Sequence, residues 1–159
     1  MIRAVGTDLV DVTRLEGYMD RVPGLRERLF TSVELAVCQK RAASLGARLA
    51  AKEAVLKALG SAYAELGLDA PQGWEYQDIE VTSTPGTPPR LRLTGAAAMA
   101  ARQAGIGHWH LSLAHDGGMA QAFVVAQADH VDNDDDLTLS SQRSQARTKQ
   151  QIRSLRPAL

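Results

Sequence analysis

An alanine-rich segment at residues 45–59 constrains the fold of this chain more than any other feature. Its larger apolar residues recur at the spacing of one helix face, with alanines between them: Leu45, Leu49, Val55, Leu56 and Leu59. This pattern predicts a helix with one apolar face, and Gly60 is placed to end it as a C-terminal cap. Only 4% of the residues are aromatic, so we expect Ala, Leu and Val to fill the core around this helix.

Shorter segments on both sides of this helix carry strand, turn and helix patterns. Strands are predicted at residues 4–10, 78–83, 90–93, 108–114 and 119–126. Further helices are predicted at residues 13–20, 31–41 and 94–104, and a short helical or turn segment at residues 25–30. Thr13 is the expected cap of the first of these, Thr31 and Glu34 form a capping-box pattern, and Asp116-Gly117-Gly118 is a strong hairpin signal. Together these elements predict an α+β domain.

The end of the chain differs in composition from the rest. Residues 129–159 hold five acids followed by five bases, and no aromatic residue follows Phe123. A segment of this kind cannot bury a core. We therefore expect one domain at residues 1–128 and a polar, disordered tail at residues 129–159.

The charges and the single thiol limit the class of protein. The formal net charge is zero, which gives no argument for nucleic acid or membrane as a partner. Nine bases against five acids make residues 14–57 net positive by four, which suggests an anionic ligand or partner, although solvated helix faces account for it equally well. One cysteine, Cys38, fits a reducing compartment. With no apolar signal segment and no run of the ~20 apolar residues that a membrane span needs, we expect a cytoplasmic protein.

Two carboxylates stand in otherwise apolar surroundings. Asp8 ends a strand of small and apolar residues, and Glu53 lies within the alanine-rich helix. A lone carboxylate on a packed helix is costly to bury unless it is paired or binds a metal. Two carboxylates on separate elements suit Mg²⁺, which leaves its other positions to phosphates and water. The alternative, which the pattern alone favours, is that Glu53 pairs with Lys57 and that Asp8 caps a turn.

Cations recur along the same helix at intervals of four residues. Lys57 follows Glu53 by four residues and therefore shares its face, where it would lie beside a carboxylate-bound metal. Arg48 and Lys52 form a second row with the same spacing. The helix presents either two cationic rows with a carboxylate beside them or an exposed charged face, and the spacing does not decide between the two.

Three histidines lie within eight residues, at positions 108, 110 and 115. They raise the alternative of a zinc-binding or nucleic-acid module, but no cysteine lies near them and the neutral net charge weighs against nucleic acid. His115 ends a strand before a tight turn, where functional side chains often project, or it is a turn residue bonded to the backbone. The chain contains no G-x-G-x-x-G, P-loop or G-x-S-x-G motif, which argues against the corresponding nucleotide-binding and hydrolase folds.

A series of motifs, in order along residues 3–128, resembles those of bacterial holo-acyl-carrier-protein synthases. They are Gly6-Thr7-Asp8-Leu9-Val10-Asp11-Val12, Arg28-Leu29-Phe30-Thr31 with Glu34-Leu35, the segment from Ala47 to Gly60, Asp78-Ile79-Glu80-Val81, Gly86-Thr87-Pro88, and the segment from His110 to Asp116. The third is similar to the family's signature helix, A-x-R-[FW]-A-A-K-E-A-x-x-K-A-[LF]-G. The resemblance implies the 4'-phosphopantetheinyl transferase fold, in which a small antiparallel sheet packs on a long central helix, and a trimer with sites at the subunit interfaces.

The resemblance also implies a reaction and a role for each matched residue. Phosphopantetheine moves from coenzyme A to a serine of apo acyl carrier protein or of a carrier domain. Asp8 and Glu53 match the ligands of Mg²⁺, Lys57 matches a lysine that binds the pyrophosphate, and these three are the expected catalytic residues. The positions that match contacts to the nucleotide end of coenzyme A are Arg48, Pro88 and His115. For the base that takes the serine proton, our hypothesis is Glu53 or a water that it orients.

Three arginines match the surface on which the family docks the acidic helix of the carrier protein: Arg14, Arg21 and Arg28. The chain departs from the family at Leu49, where an aromatic residue is usual, and in the length of the stretch between Glu34 and Arg48. The remaining alternative is a non-catalytic relative that binds carrier protein or nucleotide. Such a relative should have lost at least one of the three expected catalytic residues, and all three are present.

Overall fold

The structure is a computed structural model that describes residues 1–39, 41–84 and 86–129. Its elements are β1 (Ile2–Asp11), α1 (Val12–Arg21), α2 (Leu25–Leu29), α3 (Ser32–Cys38), α4 (Ala42–Glu65), a 3-10 turn (Tyr76–Asp78), β2 (Ile79–Thr82), β3 (Arg90–Leu93), α5 (Gly95–Gln103), β4 (Ile106–Asp116) and β5 (Met119–Ala128). The predicted α+β class is confirmed. The predicted tail lies outside the described residues except for Asp129. Within those residues, no helix is both long and apolar enough to cross a membrane.

Three strands form the sheet that carries the candidate site. The order is β1-β5-β4 with antiparallel neighbours, and β2 and β3 pair separately. Gly117 and Gly118 join β4 to β5 with φ of +54° and +79°, which a two-residue type I′ turn requires at both positions. The predicted hairpin is therefore confirmed.

One face of this sheet packs on α4 through small side chains. The fully buried residues at this contact include Ala50, Ala54 and Ala58 of α4 and Ala120, Ala122 and Val124 of β5. A Cβ at Gly6 would lie 1.9 Å from the carbonyl oxygen of Ala54, so β1 can approach the helix this closely only with glycine at that position. Asp8 follows two residues later on the same face of β1 and is therefore held against α4.

A buried ion pair joins α3 to α4. Nζ of Lys52 lies 2.8 Å from Oε2 of Glu34, and both side chains are fully buried. Glu34 also completes the predicted capping box with Thr31, and its Oε1 accepts a hydrogen bond from the N–H of Val81 on β2. Burial lowers the pKa of Lys52, and Glu34 acts in the opposite direction. This pair ties α3, α4 and β2 into one scaffold behind the site.

The predicted end of α4 is wrong. The helix continues through Gly60 to Glu65 because Tyr63 is buried in the core, and that packing outweighs the cost of about 1 kcal/mol for a glycine inside a helix. The glycine that ends the helix is Gly67, at φ +66°. The N–H groups of Gly67 and Leu68 bond back to carbonyls of the last turn, which is the Schellman arrangement.

The predicted cap of α1 is also wrong. Asp11, at the end of β1, occupies the N-cap position, and its Oδ1 accepts a hydrogen bond from the N–H of Arg14 at 2.9 Å. Thr13 lies inside the first turn of the helix. Because Asp11 both ends the strand and caps the helix, α1 begins directly beside the residues that follow Asp8.

Candidate active site

A groove of about 400 Å³ runs between β1, α1 and α4. Asp8 of β1 and Glu53 of α4 both line it, together with Leu49 of α4 and with Arg14 and Tyr18 of α1. The structure thus brings together two carboxylates that lie 45 residues apart in the chain. This groove is the candidate active site.

Asp8 and Lys57 form an ion pair at the groove. Nζ of Lys57 lies 2.6 Å from Oδ1 of Asp8, with side-chain exposures of 55% for the lysine and 18% for the aspartate. The spacing along α4 allows Lys57 to pair with Glu53. In the structure Lys57 pairs with Asp8 of β1 instead. An exposed ammonium group and a mostly enclosed carboxylate therefore meet at one edge of the groove.

Glu53 has a different partner, Tyr76, which follows the loop after α4. The Tyr76 hydroxyl donates a hydrogen bond to Oε1 of Glu53. Burial raises the pKa of the Tyr76 phenol, as do this hydrogen bond and the nearby charges of Glu53 and Asp8, so the phenol stays protonated and remains a donor. The sequence patterns do not single out Tyr76, because it lies between a loop and a strand without periodicity of its own.

The donor set at the groove fits a magnesium ion bound together with a phosphate. Asp8 and Glu53 supply hard carboxylate oxygens from two separate elements, and Lys57 supplies a cation for a neighbouring anion. Within the described residues, no group of three or more His, Cys, Asp or Glu side chains is arranged to hold a metal. An ion at this groove would thus complete its shell with phosphate and water, which is how Mg²⁺ usually binds.

Arg48 and Lys52 do not form the exposed cationic row that their spacing allows. Lys52 points into the core toward Glu34, and Arg48 is buried, donating hydrogen bonds to Oγ of Ser83 at 2.9 Å and to the carbonyl of Ser44 at 3.3 Å. Nε of Arg48 is buried and has no hydrogen-bond partner among the described residues. Burial of both cations follows from the packing of α3 and the β2–β3 connection over this side of α4.

Neither Pro88 nor His115 lines the groove. Pro88 is exposed in the connection between β2 and β3, which begins near the Arg48 guanidinium at Ser83. His115 is near the end of β4, where it pairs with Ala120, which in turn pairs with Val10 of β1. It lines a separate cavity of about 170 Å³. Within one chain, Pro88 and His115 therefore do not line the same cavity as Asp8 and Glu53.

The three predicted docking arginines are all exposed. Arg14 lines the groove, and Arg21, two turns further along α1, lies over the ring of Tyr18 with its guanidinium carbon 5.3 Å from the ring centre. Arg28 of α2 lines an adjacent cavity of about 430 Å³ together with Tyr76. Arg14 thus lines the groove that contains Glu53, Arg28 lines the cavity that contains its partner Tyr76, and Arg21 contacts Tyr18 of the groove.

His108 and His110 lie on the outer face of the sheet. His110 is 2.8 Å from the side-chain oxygen of Gln127, and His108 is 3.9 Å from Asp129. Neither belongs to a metal-binding group of three or more side chains in the described part of the chain. This arrangement gives the zinc alternative no support.

The sequence matches a known protein family over most of its length. A family model described as the 4'-phosphopantetheinyl transferase superfamily matches residues 4–128, a range that contains every candidate site residue. A holo-[acyl-carrier-protein] synthase of Frankia casuarinae is 48% identical over 123 residues, which cover 77% of this chain and 95% of that protein.

Solved structures give the same result for the fold. The structure of the Chronobacterium ammoniagenes ACPS–CoA complex matches with a TM-score of 0.70 at 28% identity and covers 80% of this chain and 98% of that one. The Mycobacterium tuberculosis acyl carrier protein synthase matches with a TM-score of 0.63 at 34% identity and covers 81% of this chain and 100% of that one. The predicted small antiparallel sheet on a long helix is therefore confirmed.

Proposed function

The chain belongs to the 4'-phosphopantetheinyl transferase superfamily, and we propose that it moves 4'-phosphopantetheine from coenzyme A to a serine of apo acyl carrier protein or of a carrier domain. Adenosine 3',5'-bisphosphate is the second product. The observation that carries this proposal is the meeting of Asp8, Glu53 and Lys57 at one groove. The relatives named above as holo-acyl-carrier-protein synthases support it, and nothing favours a relative without catalysis.

The proposed metal is Mg²⁺, held by Asp8 and Glu53. When bound, the ion neutralises negative charge on the phosphate oxygens of coenzyme A during transfer. Support comes from the two carboxylates in one groove and from the preference of Mg²⁺ for one or two carboxylates completed by substrate phosphates.

Lys57 has the proposed role of binding the pyrophosphate. Its side chain is more than half exposed and is held by a single described carboxylate, Asp8. Phosphate oxygens can take over that ammonium group, because Lys presents a compact charge with three rotatable donors. Lys57 then faces the oxygens on which charge develops during transfer, where a fixed cation stabilises the transition state most effectively.

The chemical step needs a base for the carrier serine. The serine Oγ forms a bond to the β-phosphorus of coenzyme A, the bond from that phosphorus to the bridging oxygen breaks, and the adenosine bisphosphate leaves with that oxygen. The serine proton passes to Glu53 or to a water that Glu53 orients. Glu53 is suited to this role because its Oε1 is held by Tyr76 while the residue still lines the groove.

The nucleotide end of coenzyme A is proposed to contact Arg48, Pro88 and His115. Since neither Pro88 nor His115 lines the groove of its own chain, a second copy is proposed to supply part of this contact in a homotrimer. The outer face of the sheet supports self-association, because Val5, Leu9 and Phe123 are 53%, 56% and 47% exposed there and such apolar patches mark interaction sites.

The carrier protein is proposed to dock on α1 and α2 through Arg14, Arg21 and Arg28. All three are exposed, and Arg14 lines the groove that contains Glu53, so an acidic helix bound there would bring its serine toward the reacting phosphate. Complementary charge of this kind mainly raises the rate of association.

A cytoplasmic location, expected from the single thiol, stays part of the proposal.

Product analysis tests the proposed reaction. Apo carrier protein, coenzyme A and Mg²⁺ are incubated with the full chain, and adenosine 3',5'-bisphosphate is measured by chromatography. The nucleotide should appear with the apo carrier and not with a carrier whose acceptor serine is replaced by alanine. Release that does not depend on the serine would indicate hydrolysis of coenzyme A and contradict the proposal.

A further inference from the structure

Tyr76 is held at two points by consecutive residues of α4. Its hydroxyl donates a hydrogen bond to Oε1 of Glu53, and its backbone carbonyl accepts one from Nζ of Lys52 at 2.9 Å. The side chain and the backbone of this one residue are therefore fixed to the same turn of the helix that carries a candidate metal ligand.

The surroundings of Tyr76 make this contact rigid. Lys52 is fully buried and is itself fixed by Glu34 at 2.8 Å. The ring of Trp74 packs edge-on against the Tyr76 ring, with centroids 5.5 Å apart and an angle of 85° between the planes. Edge-to-face contact is a favoured aromatic geometry. The bond from Lys52 fixes the backbone of Tyr76, and the packing on Trp74 favours the ring orientation that points the hydroxyl at Glu53.

We propose that Tyr76 is a positioning residue for the transfer reaction, and that its hydroxyl holds Oε1 of Glu53 so that Oε2 stays available in the groove shared with Asp8. This inference rests on the function proposed above and adds a residue to it. Tyr76 acts through Glu53 and needs no contact with substrate. Carboxylates that bind metals are generally hydrogen-bonded in their turn, because the partner fixes their orientation.

The variant Tyr76→Phe isolates the hydroxyl from the rest of the residue. Phenylalanine keeps the ring that packs on Trp74 and the backbone carbonyl that binds Lys52, so the variant is expected to fold. Tyr63→Phe is the matched control. Tyr63 lies near the C-terminal end of α4, ten residues beyond Glu53. Like the hydroxyl of Tyr76, its hydroxyl donates hydrogen bonds, in this case to the Ala100 carbonyl and to the Gln103 side chain.

The measurement uses Mn²⁺ as the probe ion. Full-length wild type and both variants are titrated with Mn²⁺ in the presence of coenzyme A, and free ion is followed by electron paramagnetic resonance. We expect Tyr76→Phe to bind Mn²⁺ at least about tenfold more weakly than wild type, and Tyr63→Phe to bind it as wild type does. In transfer assays with Mg²⁺, kcat should fall for Tyr76→Phe while the KM for carrier protein stays the same. Far-UV circular dichroism fixes a temperature at which all three proteins are folded.

The outcomes separate positioning from a structural role. Unchanged Mn²⁺ affinity and kcat in Tyr76→Phe, with only a lower melting temperature, would overturn the inference and leave the proposed function standing. An equal loss of Mn²⁺ affinity in Tyr63→Phe would also overturn it, because the effect would then be general to α4. If the wild type transferred no phosphopantetheine, the proposed function would fail and this inference with it.

Discussion

Lys57 of α4 and Asp8 of β1 meet at one edge of the groove, with Nζ 2.6 Å from Oδ1. Contact across the two elements depends on Gly6, which lets β1 lie against the helix backbone. Because the ammonium group of Lys57 is more than half exposed, this ion pair contributes little to stability, typically about 0–1 kcal/mol. In the proposed function, phosphate oxygens replace the carboxylate as the partner of Lys57 and leave Asp8 to bind a cation.

Asp8→Asn should separate function from stability. The amide keeps the shape of the side chain but loses its charge, so we expect the transfer rate at saturating substrates and Mg²⁺ to fall about 100-fold or more. The free energy of unfolding should change by less than about 1 kcal/mol, because the ammonium group in the lost ion pair is more than half exposed. Initial rates and urea titration measure the two effects. Glu65→Gln, which neutralises an exposed carboxylate at the end of α4, is the control. A wild-type rate in Asp8→Asn would rule out a metal ligand at this position.

Gly6→Ala and Gly60→Ala should have opposite effects on stability. At Gly6 an added Cβ would lie 1.9 Å from the Ala54 carbonyl oxygen, so we expect the free energy of unfolding to fall by about 2 kcal/mol or more. At Gly60 no described atom lies within 4 Å of an added Cβ, so alanine inside the helix should raise it by about 0.5–1 kcal/mol. Thermal or urea unfolding checks both values. Equal stability of the two variants would contradict the close approach of β1 to α4.

Because of Glu80, the free energy of unfolding should fall at acid pH. Burial of Glu80 acts to raise its pKa, but the hydrogen bond from Thr31 and the bonds and charge of Arg92 outweigh burial and hold that pKa below the ordinary 4.5. The unfolded chain therefore binds a proton first, and the stability that Glu80 contributes is complete above about pH 4.5 and is lost as the pH falls through the folded pKa. Urea titrations between pH 3 and 7 on wild type and Glu80→Gln test this. Glu80→Gln should be less stable at pH 7 and should lose less stability in acid; parallel curves would contradict the account.

Arg21→Glu should weaken carrier-protein binding without changing the chemistry. Reversal of this charge is expected to raise the KM for carrier protein about tenfold at low salt and to leave kcat near its wild-type value. The wild-type KM should itself rise with salt concentration, because exposed charges are screened. Arg102→Glu makes the same charge change on α5 and should have no effect. A KM independent of ionic strength, or an equal rise in Arg102→Glu, would show that the arginines of α1 do not dock the carrier.

Much of the scaffold is predictable because its signals are local in the chain. The capping box of Thr31 and Glu34 and the turn at Gly117 and Gly118 each depend on neighbouring residues, and both are present in the structure. The individual strands and the long helix follow in the same way from periodicity, whereas the small antiparallel sheet was expected only from the resemblance to the family. Gly60 shows the limit of such signals, since burial of Tyr63 decides that the helix continues past it.

The parts of the site that depend on long-range packing were not predictable in the same way. Lys52 shares its spacing with Arg48, but only the docking of α3 brings Glu34 against it and buries it. Tyr76 reaches Glu53 from 23 residues further along the chain, and no periodic pattern marks it. Pro88 is a candidate only through the resemblance to the family, whereas His115 is also marked by its place before a tight turn. The contacts of both residues with coenzyme A stay predictions.

The intact mass of the carrier protein tests most directly whether this chain transfers phosphopantetheine. Apo carrier protein is incubated with coenzyme A and the full chain, once with Mg²⁺ and once with excess EDTA, and both samples are analysed by mass spectrometry. We expect the carrier protein to gain the mass of one phosphopantetheine, ~340 Da, with Mg²⁺ and to gain none with EDTA. A carrier protein that keeps its apo mass with Mg²⁺, both as a free carrier and as an excised carrier domain, would contradict the assignment of this groove as a transferase site.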